Sequence, residues 1–195
     1  KSGYNINGAI TGALWTTGRY GSGIITDGID DYIDFGNNHN FEYNLPFSVA
    51  VWVKQQGNLT NSNSIISKLN ASATGWRLML NSSGNFIFRI AGTGSLVITS
   101  NATYSDISKW LFLVATYNGL NLSTSSNLYA QGIDLSLLST SFTIFTGSIG
   151  NSQSLMIGKD GVGNPANIIV DEAKIYNRVL TPSEIYAQYN GGRNI

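Results

Sequence analysis

The chain has 195 residues, enough to bury one good core, and carries a formal net charge of zero with only 11% of residues charged. That balance removes the electrostatic basis for holding nucleic acid or an anionic membrane surface. There is no cysteine, so no disulfide framework and no thiol chemistry, and no apolar run approaches the roughly 20 residues that span a bilayer.

Residues 1–20 are rich in glycine with scattered aromatics, Tyr4, Trp15 and Tyr20, and read as a lead-in covering an edge of the fold. Short strands follow at 22–27 and 32–35 around a turn at Asp27-Gly28, and 37–43 is a loop holding the single histidine, His39. Residues 47–55 form a long strand, with Phe47, Val49, Val51 and Val53 on one face and Ser48, Ala50, Trp52 and Lys54 on the other. An Asn/Ser/Thr-rich loop at 57–64 precedes strands at 64–69, 76–80, 86–91 and 96–99, with Gly-containing turns between them. Strands at 110–117, 127–131, within 141–145 and at 155–158 complete the middle, and a Gly-rich loop at 160–165 leads to the last strand. No linker or fixed-period repeat divides the chain, so 1–195 is one domain. About a dozen short strands without βα alternation predict an all-β fold of two antiparallel sheets face to face.

The last segment is the most informative. Ile168, Val170, Ala173, Ile175 and Tyr176 make a β-rich run around Asp171 and Glu172, and its imperfect alternation suits a strand buried on both faces with a bulge. Thr181-Pro182-Ser183-Glu184 is a helix start, with Thr181 and Glu184 three apart as a capping box and Pro182 at the first helical position. Gly191-Gly192 end the helix. This strand–NRxL–helix segment resembles the C-terminal signature of the LamG-like jelly roll, within the concanavalin A-like lectin/glucanase fold. Three further segments match that family in order: 25–33 (ITDGIDDYI, with Thr26 where an apolar residue is usual), 47–54 (FSVAVWVK) and 110–119 (WLFLVATYNG).

Catalysis finds little support. Glucanases of this fold carry an E-x-D-x-x-E strand, whereas the only glutamates here are Glu42, Glu172 and Glu184, and no such spacing occurs. Asp171 and Glu172 are adjacent on a strand and face opposite ways, and His39 reads as a solvated loop residue. Calcium is a better expectation. Asp27, Asp30 and Asp31 offer three carboxylates within five residues. The resemblance makes the first and last strands neighbours, which would bring Asp171 to them as a brace between the chain ends. The expected ligands are Asp27, Asp171 and then Asp30. The competing reading has Asp27 and Asp30 in Asx turns and Asp171 bonded to backbone amides.

For a ligand face, Trp76, Leu78 and Leu80 oppose Arg77 and Met79, and Phe86, Phe88 and Ile90 oppose Ile87 and Arg89. The larger apolar sets turn to the core, placing Arg77 and Arg89 near each other on an outward face, as ligand contacts or as solvated or ion-paired residues. Trp52 and Trp110 match core positions of the family. Asn, Ser, Thr and Gly dominate the polar positions, as in extracellular β-rich modules, and the first residue is Lys1, which suggests a mature product or one module of a larger protein. The resemblance implies a non-catalytic carbohydrate-binding or cell-surface recognition domain, extracellular, with glycan or a glycosylated surface as partner. The alternative is a structural or adhesive module without a sugar site.

Overall fold

The computed structural model describes residues 7–57, 59, 62–135 and 137–191. Tyr4, Gly192 and positions 58, 60 and 61 of the polar loop lie outside them. In chain order come β1 (Ala9–Thr11), β2 (Leu14–Thr17), β3 (Ser22–Asp27), β4 (Tyr32–Asp34), β5 (Phe47–Gln55), β6 (Asn63–Ser67), β7 (Gly75–Leu80), β8 (Asn85–Ala91) and β9 (Ser95–Thr103). Then follow β10 (Leu111–Tyr117), β11 (Ser126–Ala130), β12 (Ile133–Asp134), β13 (Leu137–Thr143), β14 (Met156–Ile157), β15 (Asn167–Tyr176) and the helix α1 (Pro182–Tyr189). One sheet has the order β1-β4-β14-β6-β7-β8-β9-β13 and the other β12-β11-β10-β5-β15-β3-β2. Every pairing is antiparallel.

The alternation in the sequence decides which side chains meet between the sheets. Phe47, Val49, Val51 and Val53 of β5 face Trp76, Leu78 and Leu80 of β7 and Phe86, Phe88 and Ile90 of β8 in a single buried cluster. Phe47 is its aromatic hub. Phe41 stacks on it at 4.5 Å, and Trp76, Tyr117 and Phe88 surround it at 5.6–5.8 Å. Each such pair adds about 0.5–1.5 kcal/mol beyond the area it removes from water.

β5 and β10 are apolar on their second faces too, because the seven-stranded sheet is covered on both sides. Ala50, Trp52, Phe112, Val114 and Tyr129 form a separate buried cluster, roofed by Leu180 and by Ile185 of α1. α1 begins where its caps place it. The Thr181 hydroxyl accepts from Glu184 N at 3.3 Å, and the Glu184 carboxylate accepts from Thr181 N at 2.9 Å. Arg178 clamps the same carboxylate through two bonds of 2.7 and 2.8 Å. Gly191, at φ +69°, ends the helix.

β15 lies centrally between β5 and β3 and carries the expected bulge. Asp171 pairs with Trp52 while Lys174 pairs with Ala50, so β15 holds one extra residue there, and Glu172 takes φ +49°. The N-terminal segment differs from the lead-in read in the sequence. β1 and β2 are true edge strands, one in each sheet, and Trp15 is 67% exposed. β9 is longer than expected, and β13 starts earlier.

Candidate functional site

The expected meeting of Asp27 and Asp171 does not occur. β3 and β15 are neighbours, but Asp27 pairs with Asn167 and Ile24 with Val170. Asp171 therefore lies four positions along β15 from the partner of Asp27, about 13 Å at the usual strand rise. It is bonded to backbone amides instead: its Oδ2 accepts from Tyr20 N at 2.7 Å and its Oδ1 from Glu172 N at 2.8 Å.

Asp27 and Asp30 do come together, with Asp31 as the third member. Each offers an oxygen, and these oxygens lie within 4.8 Å of one another at the β3–β4 turn. Asp27 Oδ1 also closes an Asx turn, accepting from Ile29 N at 2.8 Å, and this bond holds its carboxyl below the usual value. Asp31 Oδ2 accepts from Asp27 N at 3.0 Å.

Arg77 and Arg89 are directly opposed across β7 and β8 on the outer face of the eight-stranded sheet. Beside Arg77, from the loop after β14, stands Asp160, a residue the sequence did not single out. Asp160 is fully buried and pairs with Arg77 Nη1 at 2.7 Å. Its Oδ2 also accepts from Ser64 Oγ at 2.7 Å, and its Oδ1 from the main-chain nitrogens of Val162, Gly163 and Asn164. The Asn164 side chain donates to both oxygens. Burial pushes the Asp160 pKa up, but the bonds from Asn164, Ser64 and Arg77 outweigh it, leaving the carboxyl below its ordinary value.

Lys68 was equally illegible. Its amine is buried with Asn37 Oδ1 at 2.8 Å and the Gln153 carbonyl at 2.6 Å, and burial lowers its pKa to about 8. His39 is a loop residue as expected, but half-buried instead of fully solvated. It packs edge-on against Phe41 at 6.1 Å, its Nδ1 is buried without a partner, and burial followed by the Lys68 charge lowers its pKa.

A concavity lies on the outer face of the seven-stranded sheet, beside α1. Trp52 and Phe112 are register partners with ring centroids 5.2 Å apart. Tyr189, from the last turn of α1, stacks on Trp52 at 5.8 Å. Tyr20 meets Trp52 edge-on at 5.9 Å, and the Arg19 guanidinium lies 4.8 Å above the Trp52 ring. Asp171 is what holds Tyr20 there. The supporting turn is closed by Gly18 N donating to the Gly21 carbonyl, and a Cβ on Gly18 would stand 2.6 Å from Asp171 Oδ2. Thus the carboxylate expected to bind metal braces the wall of a cleft.

Two clefts of about 440 and 420 Å³ adjoin here and share Tyr20 and Gly191. The first is lined by Arg19, Tyr189 and Asn190, the second by Trp52, Gln188 and the Glu172–Lys174 pair, which is closed at 2.7 Å. Tyr20 is 43% exposed, and Asn190 Nδ2 is shut from solvent without an acceptor. An aromatic wall, planar amides and a guanidinium thus converge on a volume suited to a small ligand.

The concanavalin A-like lectin/glucanases superfamily matches the chain over residues 27–186. Among solved structures, the binding domain of Paraclostridial Mosquitocidal Protein 1 superposes with a TM-score of 0.75 at 21% identity, covering 98% of this chain and 49% of that one. Domain 4 of AbnA, a GH43 extracellular arabinanase from Geobacillus stearothermophilus in complex with arabinotriose, gives 0.67 at 20% identity, covering 92% and 86%. The ligand-binding domain of botulinum neurotoxin serotype D, in complex with N-acetylneuraminic acid, gives 0.69 at 19% identity, covering 97% and 47%. The chain thus spans about half the length of these toxin domains, and at such identities the likeness is one of fold. No curated protein matches the chain.

Proposed function

The chain belongs to the concanavalin A-like lectin/glucanase superfamily, and from that premise we propose that it is a non-catalytic, extracellular recognition module that binds glycan. The observation that carries this is the cleft between the Arg19-Tyr20 turn and the end of α1. A sugar ring offers C–H faces that pack on aromatics and hydroxyls that bond to amides, carboxylates and guanidinium groups. Tyr20 and Tyr189 supply the first, and Gln188 and Arg19 the second. The lining contains one carboxylate, Glu172, already paired with Lys174. Glycoside hydrolysis by the usual route needs two carboxyl groups flanking the bond.

A broad glycan array followed by calorimetric titration tests the reading. Wild-type protein is expected to bind at least one glycan. Tyr20→Ala is expected to weaken that binding at least tenfold, the loss of about 1.4 kcal/mol. Silence across the array, with a self-associated or partner-bound form found instead, would overturn it. That outcome favours an adhesive module, for which the specific observation is edge strand β2 with Leu14 and Trp15 each 67% exposed.

Calcium belongs to the same proposal, at Asp27, Asp30 and Asp31 without Asp171. Hard oxygen donors at an exposed turn fit such an ion. Saturating calcium is expected to raise the melting temperature by several degrees through mass action, about 2.7 kcal/mol at a hundredfold excess over Kd. Asp30→Asn should remove the effect. A melt unchanged by calcium and by chelator contradicts it.

A further inference from the structure

We propose that the outer face of the eight-stranded sheet carries an oxyanion subsite at Arg89 and Arg77, which takes a carboxylate or sulfate group of a bound ligand. It lies on the opposite side of the sandwich from the aromatic cleft and stands or falls independently of the glycan reading.

The starting point is an imbalance of charge. Arg77 and Arg89 occupy directly opposed positions in an antiparallel pair, an arrangement in which like charges repel. The one carboxylate there is Asp160, and it is committed. Arg77 Nη1, Ser64 Oγ, Asn164 Nδ2 and three main-chain nitrogens already use both of its oxygens. Among the described residues no carboxylate pairs with Arg89. Its guanidinium is half-buried; burial, then the neighbouring Arg77, disfavour its charge, and Asp160 offsets them only in part.

The second observation is that both side chains hold a buried donor without a partner. Arg77 Nε and Arg89 Nε are both shut from solvent and have no acceptor. An arginine serving only solubility keeps its Nε in water. A guanidinium presents its donors in a rigid planar fork that matches an oxyanion through two parallel bonds. An oxyanion docked against the half-buried Arg89 guanidinium would offset the unpaired charge.

The surroundings fit a group carried on a larger molecule. The register runs from Ser67 through Arg77, Arg89 and Val97 to Ser141 across four strand boundaries. Val97 is half-buried and Ser141 is exposed, so the face opens on the Arg89 side, while the Asp160–Asn164 loop walls the Arg77 side.

The test follows the side-chain Nε–Hε signals of the arginines by NMR during titration with sodium sulfate, with D-glucuronate and with D-glucose, at ionic strength fixed by sodium chloride. Saturable shifts of the Arg89 and Arg77 signals with sulfate or glucuronate, and none with glucose, are expected. Glucuronate binding tighter than sulfate would identify a sugar acid as the source of the group; equal binding would identify the oxyanion alone. Arg89→Gln should weaken the response at least tenfold, Arg89→Lys should restore only part of it, and Tyr20→Ala should leave it unchanged. Since Arg89→Gln removes a like-charge contact, its melting temperature should not fall; if it does, the wild-type titration alone decides. A linear, non-saturating drift shared with exposed Arg178, or an equal response to glucose, overturns the proposal.

Discussion

Asp160→Ala is expected to destabilise the fold by about 3–5 kcal/mol, because it leaves a charge unpaired inside the protein. For a chain of this length that corresponds to a fall in melting temperature of roughly 6–20 °C. Arg77 is 11% exposed and would lose its anion while still facing Arg89. The turn after β14 would also lose the acceptor for three consecutive main-chain nitrogens. Asp160→Asn should be nearly as damaging, since both oxygens receive donors and an amide places N–H groups against one set of them. The double variant Asp160→Ala/Arg77→Met should recover part of the loss by removing the orphaned cation.

The pH dependence has a definite sign. The folded-state pKa of Asp160 lies below its ordinary 3.8, so its contribution is fully present above that value and is lost as pH falls through the folded-state pKa. Urea unfolding below pH 4 should therefore be less pH-dependent in Asp160→Ala than in the wild type. Wild-type stability at pH 7 shared by Asp160→Ala would contradict the assignment.

Trp52→Ala is expected to cost about 3–5 kcal/mol, the range for truncating a buried large aromatic. Trp52 is 3% exposed and touches Phe112, Tyr189, Tyr20 and Arg19. Its loss should uncouple α1 from the sheet before the sandwich core opens, because the two buried clusters are separate. Hydrogen exchange measures this directly: amides of α1 should lose protection in Trp52→Ala while those of β7 and β8 keep theirs. Equal loss in both places would mean that the clusters act as one. The variant should also lose glycan binding, whereas Tyr20→Ala should lose binding with little change in stability.

The sandwich was legible because its strands alternate. β5, β7 and β8 write their core faces into the sequence as every second residue, and the capping box writes the start of α1. β1 and β2 were not legible because they bury little: their stability comes from backbone pairing at sheet edges, which leaves no periodic apolar mark. The site was legible only in fragments. Arg77 and Arg89 follow from alternation and hairpin register, but Asp160 lies 83 residues from Arg77. An Asp in a Gly-rich loop looks like any turn former, and the closely following Gly163 and Asn164 were its only signal. Asp171 stood out as an acid in an apolar strand, yet its partner is a main-chain nitrogen 151 residues away. Register then separates it from Asp27, since four positions along a strand exceed the reach of any shared ion. The cleft draws on residues near both ends and on three central strands, so no local pattern announces it.

The most direct measurement of the central claim is an NMR titration of the isotopically labelled chain with the best glycan from the array, following the Asn190 side-chain amide and the backbone amides of Tyr20 and Tyr189. Asn190 and Tyr20 line the cleft beside Tyr189, so the account predicts that their signals shift saturably together with those of Tyr189. Saturable glycan binding that leaves these three residues unmoved while shifting loops elsewhere would contradict the account.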